Sequence, residues 1–356
     1  MTRNLSDSFF LGRELSEKPL PVSQIFEKIF PLTVHFNFYS MNIKVHPIIT
    51  LLTDFGLKDI YVGVMKGVIN QINPHINIID LTHEIPAQNI AAGRFSLMNA
   101  YSYFPEKTVH IAVVDPGVGT QRRAIIIHYK NHYFVGPDNG LLTGILEPVL
   151  NSNINHNSQG LEQSEITAIE LNHPQYWRTN QPSTTFQGRD IFAAVGAHLA
   201  SGISLEQLGT FIDPKTLVKL SLPPYQITDF GIEGCIQYID GFGNLVTNIP
   251  GKAVAGQKWY VGINKQKKKK DKKPKKKKSA RKCSKKDKKR WQDQPQILSD
   301  LSCLIPSGQT YGDVPSGQFI ALVGSHHWVE IALNGGNAQQ TLNLDCGTKV
   351  LVIRYP

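Results

Sequence analysis

Short apolar runs alternate with amphipathic stretches from Pro47 onward. The run IITLLTDFG, from Ile48, is β-branched and aliphatic, reads as a strand, ends at Asp54 and is turned by Gly56. Asp59 opens a predicted helix in which Ile60, Val64, Val68 and Ile72 recur every four residues, with Tyr61, Met65 and Ile69 beside them, until Asn73-Pro74 stops it. INIIDLTHEI predicts a second strand with Asp80 at its end and His83 and Glu84 just past it; IAAGRFSLMNAYSYF predicts a second helix ending before Pro105. Ile111 to Val114 read as a buried third strand that stops at Asp115-Pro116-Gly117, because Pro116 cannot donate to a ladder and Gly117 and Gly119 allow turns that other residues resist. HYFVGPDNG adds a fourth strand. This alternation predicts a mostly parallel sheet covered by helices, with Asp54, Asp80 and Asp115 at the strand ends where open α/β sheets bind ligands.

Residues 151–182 are polar and irregular, which predicts an exposed connection. TTFQGRDIFAAVGAHLASG then predicts a helix with Gly188 at a turn, Asp190 in the first turn, and Ile191, Ala194, Val195 and Leu199 on the buried face. Leu222-Pro223-Pro224-Tyr225 marks a boundary, since tandem proline blocks both helix and central strand. Beyond it the texture is all-β: GIEGCIQYIDGFGNLVTNI, KWYVGIN, FIALVGSHHWVEIALNGG and KVLVIRYP are short strands separated by turn residues, as a small barrel requires. The expected organisation is an N-terminal extension at 1–46 with at most one short helix, an α/β domain with a mostly parallel sheet at 47–222, and an all-β, barrel-like domain at 226–356 carrying a Lys-rich insertion at 264–292. Met41, just before the first clear strand, is an alternative start to Met1.

Charge changes this picture in one place. The net charge of +10 is concentrated in Lys265–Arg290, where 18 Lys and Arg stand against Asp271 and Asp287; that local +16 leaves −6 elsewhere. The folded body is therefore mildly acidic. Any nucleic-acid contact reduces to a weak, salt-sensitive accessory property of the tract, which has only Trp291 at its edge for stacking. The four cysteines lack CxxC spacing and read as thiols in a reducing compartment; no apolar run approaches a membrane span, and the expected location is the cytoplasm. His326-His327 are adjacent on a predicted strand, so their rings point to opposite faces, and no metal site is expected.

TDFG (53–56), VVDPGVGTQRR (113–123), VGPDNG (135–140), TFQGRD (185–190), IDGFGNLVTNI (239–249) and GSHHWVEIALNGGNA (324–338) occur together in this order. In this set the chain resembles the S-adenosylmethionine hydrolases, or SAM hydroxide adenosyltransferases, relatives of the fluorinases and chlorinases. The resemblance covers about 47–262 and 300–356. It implies a homotrimer in which the α/β domain of one subunit and the barrel of its neighbour enclose S-adenosylmethionine. Water then attacks the ribose 5′ carbon to give adenosine and L-methionine, with no cofactor. It also implies substrate-binding roles: Asp54 for the ribose diol, whose hydroxyl protons a carboxylate can accept, Asp240 for the methionine ammonium, Ser325 for its carboxylate, Phe242 and Asn244 along the adenosine, and the backbone through Asn334 and Gly335 at the adenine edge.

The nucleophile pocket of the family's hydrolases is an Asp, an Arg and a His. Asp115 and Arg122 match the first two, whereas Gln187 stands at the third, where the motif reads TF-His-GRD. Glutamine cannot titrate, yet it orients a water through one donor and one acceptor. A sulfonium leaves as a neutral thioether and needs no acid, so Asp115, Arg122 and Gln187 are expected to be the catalytic set that holds the water. The alternatives are a non-catalytic binder of S-adenosylmethionine or adenosine, if the missing His is indispensable, and a halogenase. An ionised Asp115 disfavours the latter, because the halogenating relatives carry an uncharged tyrosine there.

Overall fold

A computed structural model describes residues 46–146, 166–256, 258–264 and 301–354. The extension at 1–45 with Met41, the first part of the 151–182 connection and the basic tract lie outside the described residues. The first sheet has seven strands, β1 (Ile48–Thr53), β2 (Asn77–Thr82), β3 (Val109–Val113), β4 (Ala124–Tyr129), β5 (His132–Pro137), β6 (Thr167–Glu170) and β7 (Thr210–Ile212), in the order β2-β1-β3-β5-β4-β6-β7. The joins β1–β2, β1–β3 and β3–β5 are parallel, and β4–β5, β4–β6 and β6–β7 are antiparallel. The sheet is thus mixed, parallel only over its first half.

Two strands account for that difference from the sequence reading. AIIIHY forms β4, which turns back into β5 through Lys130 and Asn131, both with positive φ (48° and 58°) as a tight hairpin demands. TAIE forms β6 inside the stretch expected to be an exposed connection, because it pairs with β4 on one side and β7 on the other.

β3 is buried throughout, His110 included, because helices cover both faces of the sheet. Ile49, Leu51, Ile111 and Val113 pack on one face with Met65, Ile69 and Val195; Leu52, Ala112 and Val114 pack on the other with Leu97, Phe134 and Leu142. Helix α1 (Tyr61–Ile72) buries Val62, Met65, Val68 and Ile69. The expected stripe from Ile60 is shifted, with Ile60 itself 76% exposed, because the helix starts one residue later and lies down along the Met65–Ile69 line. Helix α2 (Ile90–Ala100) is capped by Asn89, whose side chain accepts the Ala92 N–H.

The second sheet contains β8 (Gln226–Thr228), β9 (Gly231–Ile239), β10 (Leu245–Pro250), β11 (Trp259–Asn264), β12 (Leu301–Pro306), β13 (Phe319–Val323), β14 (Trp328–Leu333) and β15 (Lys349–Arg354). Its order is β12-β11-β15-β9-β10-β14-β13, with β8 beside β9, and every strand pair is antiparallel. A bridge between Ser307 and Ala321 brings the two ends of this order together, so the sheet nearly closes into a barrel around Ile232, Ile236, Leu245, Val261, Ile331 and Val352. Residues 265–300 connect β11 to its antiparallel partner β12. On the outside of the barrel Tyr238 stacks on Phe95 of α2, with ring centroids 4.4 Å apart.

Candidate active site

A cleft of about 410 Å³ opens at the carboxyl ends of β1 and β3, and Asp54, Phe55, Tyr61, Gln88, Asp115 and Gln187 are among the residues that line it. Its position follows from the sequence: β1 ends at Thr53 and β3 at Val113, and the adjacent parallel strands deliver Asp54 and Asp115 to the same edge. Asp80 does not reach it. That residue lies inside β2, paired with Leu51 and not at the strand end, and its carboxylate meets Lys66 Nζ at 2.6 Å. Burial would raise the Asp80 carboxyl, but the bonded Lys66 ammonium and the nearby His83 ring outweigh it and leave the pKa lowered.

Asp115, Arg122 and Gln187 are brought together. Arg122 Nε donates to Asp115 Oδ1 and Oδ2 at 3.1 and 3.0 Å, and its NH2 group donates to both Asp115 Oδ2 and Gln187 Oε1. The side chains of Asp115 and Arg122 are 5% and 11% exposed, so water competes little for this pairing. The guanidinium also lies over the Phe192 ring, 5.4 Å from its centroid. Asp115 and Gln187 line the cleft whereas Arg122 does not; it stands behind them and joins them. The neighbouring Arg123 turns away to Asp138 (Nε at 2.9 Å) and the Thr216 carbonyl (2.7 Å).

Backbone packing holds the two halves of this wall in place. Gly119 has φ +79°, and a Cβ there would fall 2.5 Å from the Thr184 carbonyl oxygen, so only glycine lets the 115–123 loop rest on the segment that carries Gln187. Gln187 itself precedes a π-helical turn, Gly188–Ala193, that runs into α3 (Ala194–Ala200). Asp190 in that turn is fully buried and accepts from Arg178 Nε (2.5 Å), Arg189 Nε (2.7 Å) and the Ser183 N–H (2.9 Å). Burial alone would raise its carboxyl; the bonds from Arg189, Ser183 and Arg178 outweigh that and hold it well below the usual carboxylate range. These bonds staple the 178–190 segment, and with it the position of Gln187.

On the opposite side of the cleft Asp54 Oδ2 accepts the Gln88 N–H at 2.7 Å, and Gln88 takes φ +64° to present it. Phe55, Tyr61 and Phe186 form an aromatic cluster on the cleft lining, Phe186 meeting the other two rings edge-on.

The barrel candidates do not line this cleft. Asp240 caps its own turn: Oδ1 accepts the N–H groups of Phe242 (3.0 Å) and Asn244 (2.8 Å), and Oδ2 accepts Asn244 Nδ2 (2.9 Å). Asn244 is buried and Phe242 is 79% exposed. Asn334 is engaged in the β13–β14 edge: its N–H donates to Gln318, its carbonyl accepts from Gly317, and its amide donates to Val314. Gly335 follows in the left-handed region at φ +69°. Ser325 is exposed in the β13–β14 turn, next to His326, whose Nε2 lies 3.0 Å from Glu330 Oε2. The buried Glu330 also accepts the Tyr311 hydroxyl at 2.7 Å; burial first and that carboxylate second push the Tyr311 phenol up.

Sequence comparison agrees with this geometry. Residues 49–209 match the family model of the SAM hydroxide adenosyltransferase N-terminal domain, and residues 234–276 and 277–351 match that of the C-terminal domain. The chain is 32% identical over 304 residues to an (R)-S-adenosyl-L-methionine hydrolase of Thermus thermophilus, covering 85% of this chain and 98% of that one. It is 27% identical over 229 residues to a fluorinase of an Actinoplanes species, covering 57% and 72%. The crystal structure of an uncharacterized conserved protein from Thermotoga maritima superposes with a TM-score of 0.66 at 30% identity, over 85% of this chain and 99% of that one.

Proposed function

Because the chain belongs to the SAM hydroxide adenosyltransferase family, we propose that it hydrolyses S-adenosyl-L-methionine to adenosine and L-methionine, water or hydroxide displacing methionine at the ribose 5′ carbon. The observation that favours named residues for this chemistry is the link Asp115–Arg122–Gln187 on the wall of a cleft whose other side carries Asp54. With Gln187 Oε1 committed to Arg122, its NH₂ group is the end left to donate to a water. Asp115 accepts that water's proton and is the group through which the proton leaves. Arg122 works from behind, fixing both partners at one spacing.

The departing thioether is neutral and needs no acid, which removes one of the two tasks a titrating histidine would perform. Attack of hydroxide on a sulfonium cancels charge, so a cleft that excludes bulk water favours the transition state, and fixed geometry adds its own share. Asp54 accepts the ribose diol. The substrate carries its own leaving group, and the scheme requires no cofactor.

Asp240, Phe242, Asn244, Ser325 and Gly335 serve the substrate of a neighbouring copy. The cleft lining ends at Gly188 in sequence and includes none of them, which supports this reading. A homotrimer supplies them, since a heterologous contact that closes on itself places one chain's barrel against the next chain's cleft at every interface. Among the described residues no helix is long and apolar enough to cross a membrane, and the cytoplasm, where the substrate is made, is the proposed location.

Reaction in oxygen-18 water tests the scheme. The label is expected in the 5′ hydroxyl of adenosine and absent from methionine. Gln187 favours one rival reading, a non-catalytic binder; retention of S-adenosylmethionine without adenosine release would establish it. A 5′-chloro nucleoside formed in chloride buffer would establish a halogenase instead.

A further inference from the structure

Thr53, Asp54, Phe55 and Gly56 form the turn that presents Asp54, and a histidine from the neighbouring strand grips that turn on both sides. His83 is 3% exposed. Its Nδ1 lies 2.8 Å from Thr53 Oγ1, and the same oxygen accepts the Phe55 N–H at 3.2 Å. Its carbonyl accepts the Gly56 N–H at 2.8 Å. These bonds bracket Asp54 in sequence, one residue before it and one and two after. A threonine hydroxyl carries one proton and two lone pairs, so Thr53 Oγ1 accepts from Phe55 and still pairs with His83 Nδ1 in either tautomer of the ring. Nε2 is buried, makes no hydrogen bond and lies 3.0 Å from Asp80 Oδ1, while Asp80 Oδ2 is held by Lys66 of α1.

β2 is shaped for this reach. Leu51 pairs with Asp80 but Leu52 pairs with Thr82, so β2 carries one extra residue at Leu81, and the bulge re-aims the strand end toward Thr53. Beyond it, the same segment returns as Gln88, whose N–H reaches the Asp54 carboxylate itself at 2.7 Å.

We propose that His83 is a positioning residue for substrate recognition: through Thr53 and Gly56 it sets the rotation of the Asp54 turn, and thereby the selectivity of the cleft for a nucleoside bearing an intact 2′,3′-diol. A buried histidine in a satisfied core is the common alternative, but here its bonds converge on the residues around one cleft carboxylate and on none of the apolar core. The inference rests on the assignment of Asp54 to the ribose diol.

The test is a ratio. Titration calorimetry on the full chain gives the dissociation constants of 2′,3′-dideoxyadenosine and of adenosine, and the first divided by the second reports the diol contact. Asp54→Ala is expected to collapse it. His83→Ala is expected to lower the ratio by about tenfold, chiefly through weaker adenosine binding, as loss of well-aimed hydrogen bonds to a carboxylate predicts. His83→Asn, which keeps a hydrogen-bonding group near the Nδ1 position, is expected to restore most of it, and Thr53→Val to reproduce the loss without touching the imidazole. Should His83→Ala fail to fold, the Asn and Val variants carry the test. An unchanged ratio in His83→Ala or Thr53→Val, with Asp54→Ala collapsed, would overturn the role of His83. An unchanged ratio in Asp54→Ala would overturn the diol assignment first and the inference with it.

Discussion

Replacing Arg122 with lysine keeps the charge and removes only the fork. In the native arrangement one planar guanidinium places Nε at 3.0–3.1 Å from the two Asp115 oxygens and shares NH2 between Asp115 and Gln187. A lysine ammonium is a point donor on a flexible stem; it can satisfy Asp115 or Gln187 but cannot hold both in one plane. At least one charge-assisted bond is lost, about 1.5–3 kcal/mol in a site so little exposed. If that bond serves to align the attacking water, the loss appears in the barrier, and kcat should fall about 10–100-fold. KM should move little, because Arg122 does not line the cleft. Adenosine release followed by chromatography under saturating and limiting S-adenosylmethionine separates the two constants. A wild-type kcat in Arg122→Lys would refute the coupling of Asp115 to Gln187, and a raised KM at unchanged kcat would mean that Arg122 binds substrate directly.

Two further outcomes follow from the same structure. If the neighbouring copy's barrel completes the cleft, as proposed, Asp115→Asn and Asp240→Asn should each be nearly inactive, yet a mixture denatured and refolded together should recover about a quarter of wild-type activity, because in a random ring one interface in four joins an intact cleft to an intact barrel; no recovery would place both residues in one chain's site. His110 is buried, with Nδ1 2.7 Å from Thr50 Oγ1 and Nε2 3.3 Å from His132 Nδ1. Burial first, and His132 second, lower its pKa from 6.5 to about 3. The unfolded chain therefore takes up a proton below pH 6.5 that the folded chain refuses until about pH 3, so stability falls as pH falls across that window, by up to ~1.4 kcal/mol per pH unit from this group. Urea melts of His110→Phe should show a shallower slope there than wild type, whatever the variant's absolute stability; an equal slope would exclude His110 as the cause.

What could be read from the chain beforehand was what local pattern controls. The strand that ends at Asp115 and the loop that returns Arg122 are seven residues apart, and their meeting follows from a turn rich in glycine. Gln187 joins them from 65 residues away, and nothing in its own neighbourhood announces that; only the resemblance of TFQGRD to a known motif did. β4 breaks the alternation of strands and helices that the surrounding chain suggests: AIIIHY is a strand, and a two-residue turn with positive φ at Lys130 and Asn131 folds it back as a hairpin. Asp80 seemed to end its strand because the bulge at Leu81 has no composition signal. His83 stood out as a residue past a strand end, but its bonds to Thr53 and Gly56 cross between strands and become visible only in three dimensions. The barrel candidates carry the same lesson in reverse: they were named together with the cleft residues, and the fold of one chain keeps them off its lining.

The contact that only a glycine at 119 permits separates scaffold from reagent. Because main chain meets main chain there, the spacing across the wall does not depend on which side chain occupies position 187. A different side chain at 187 therefore leaves the facing loop undisturbed, whereas a methyl group added at the glycine would wedge the wall apart whatever occupies position 187.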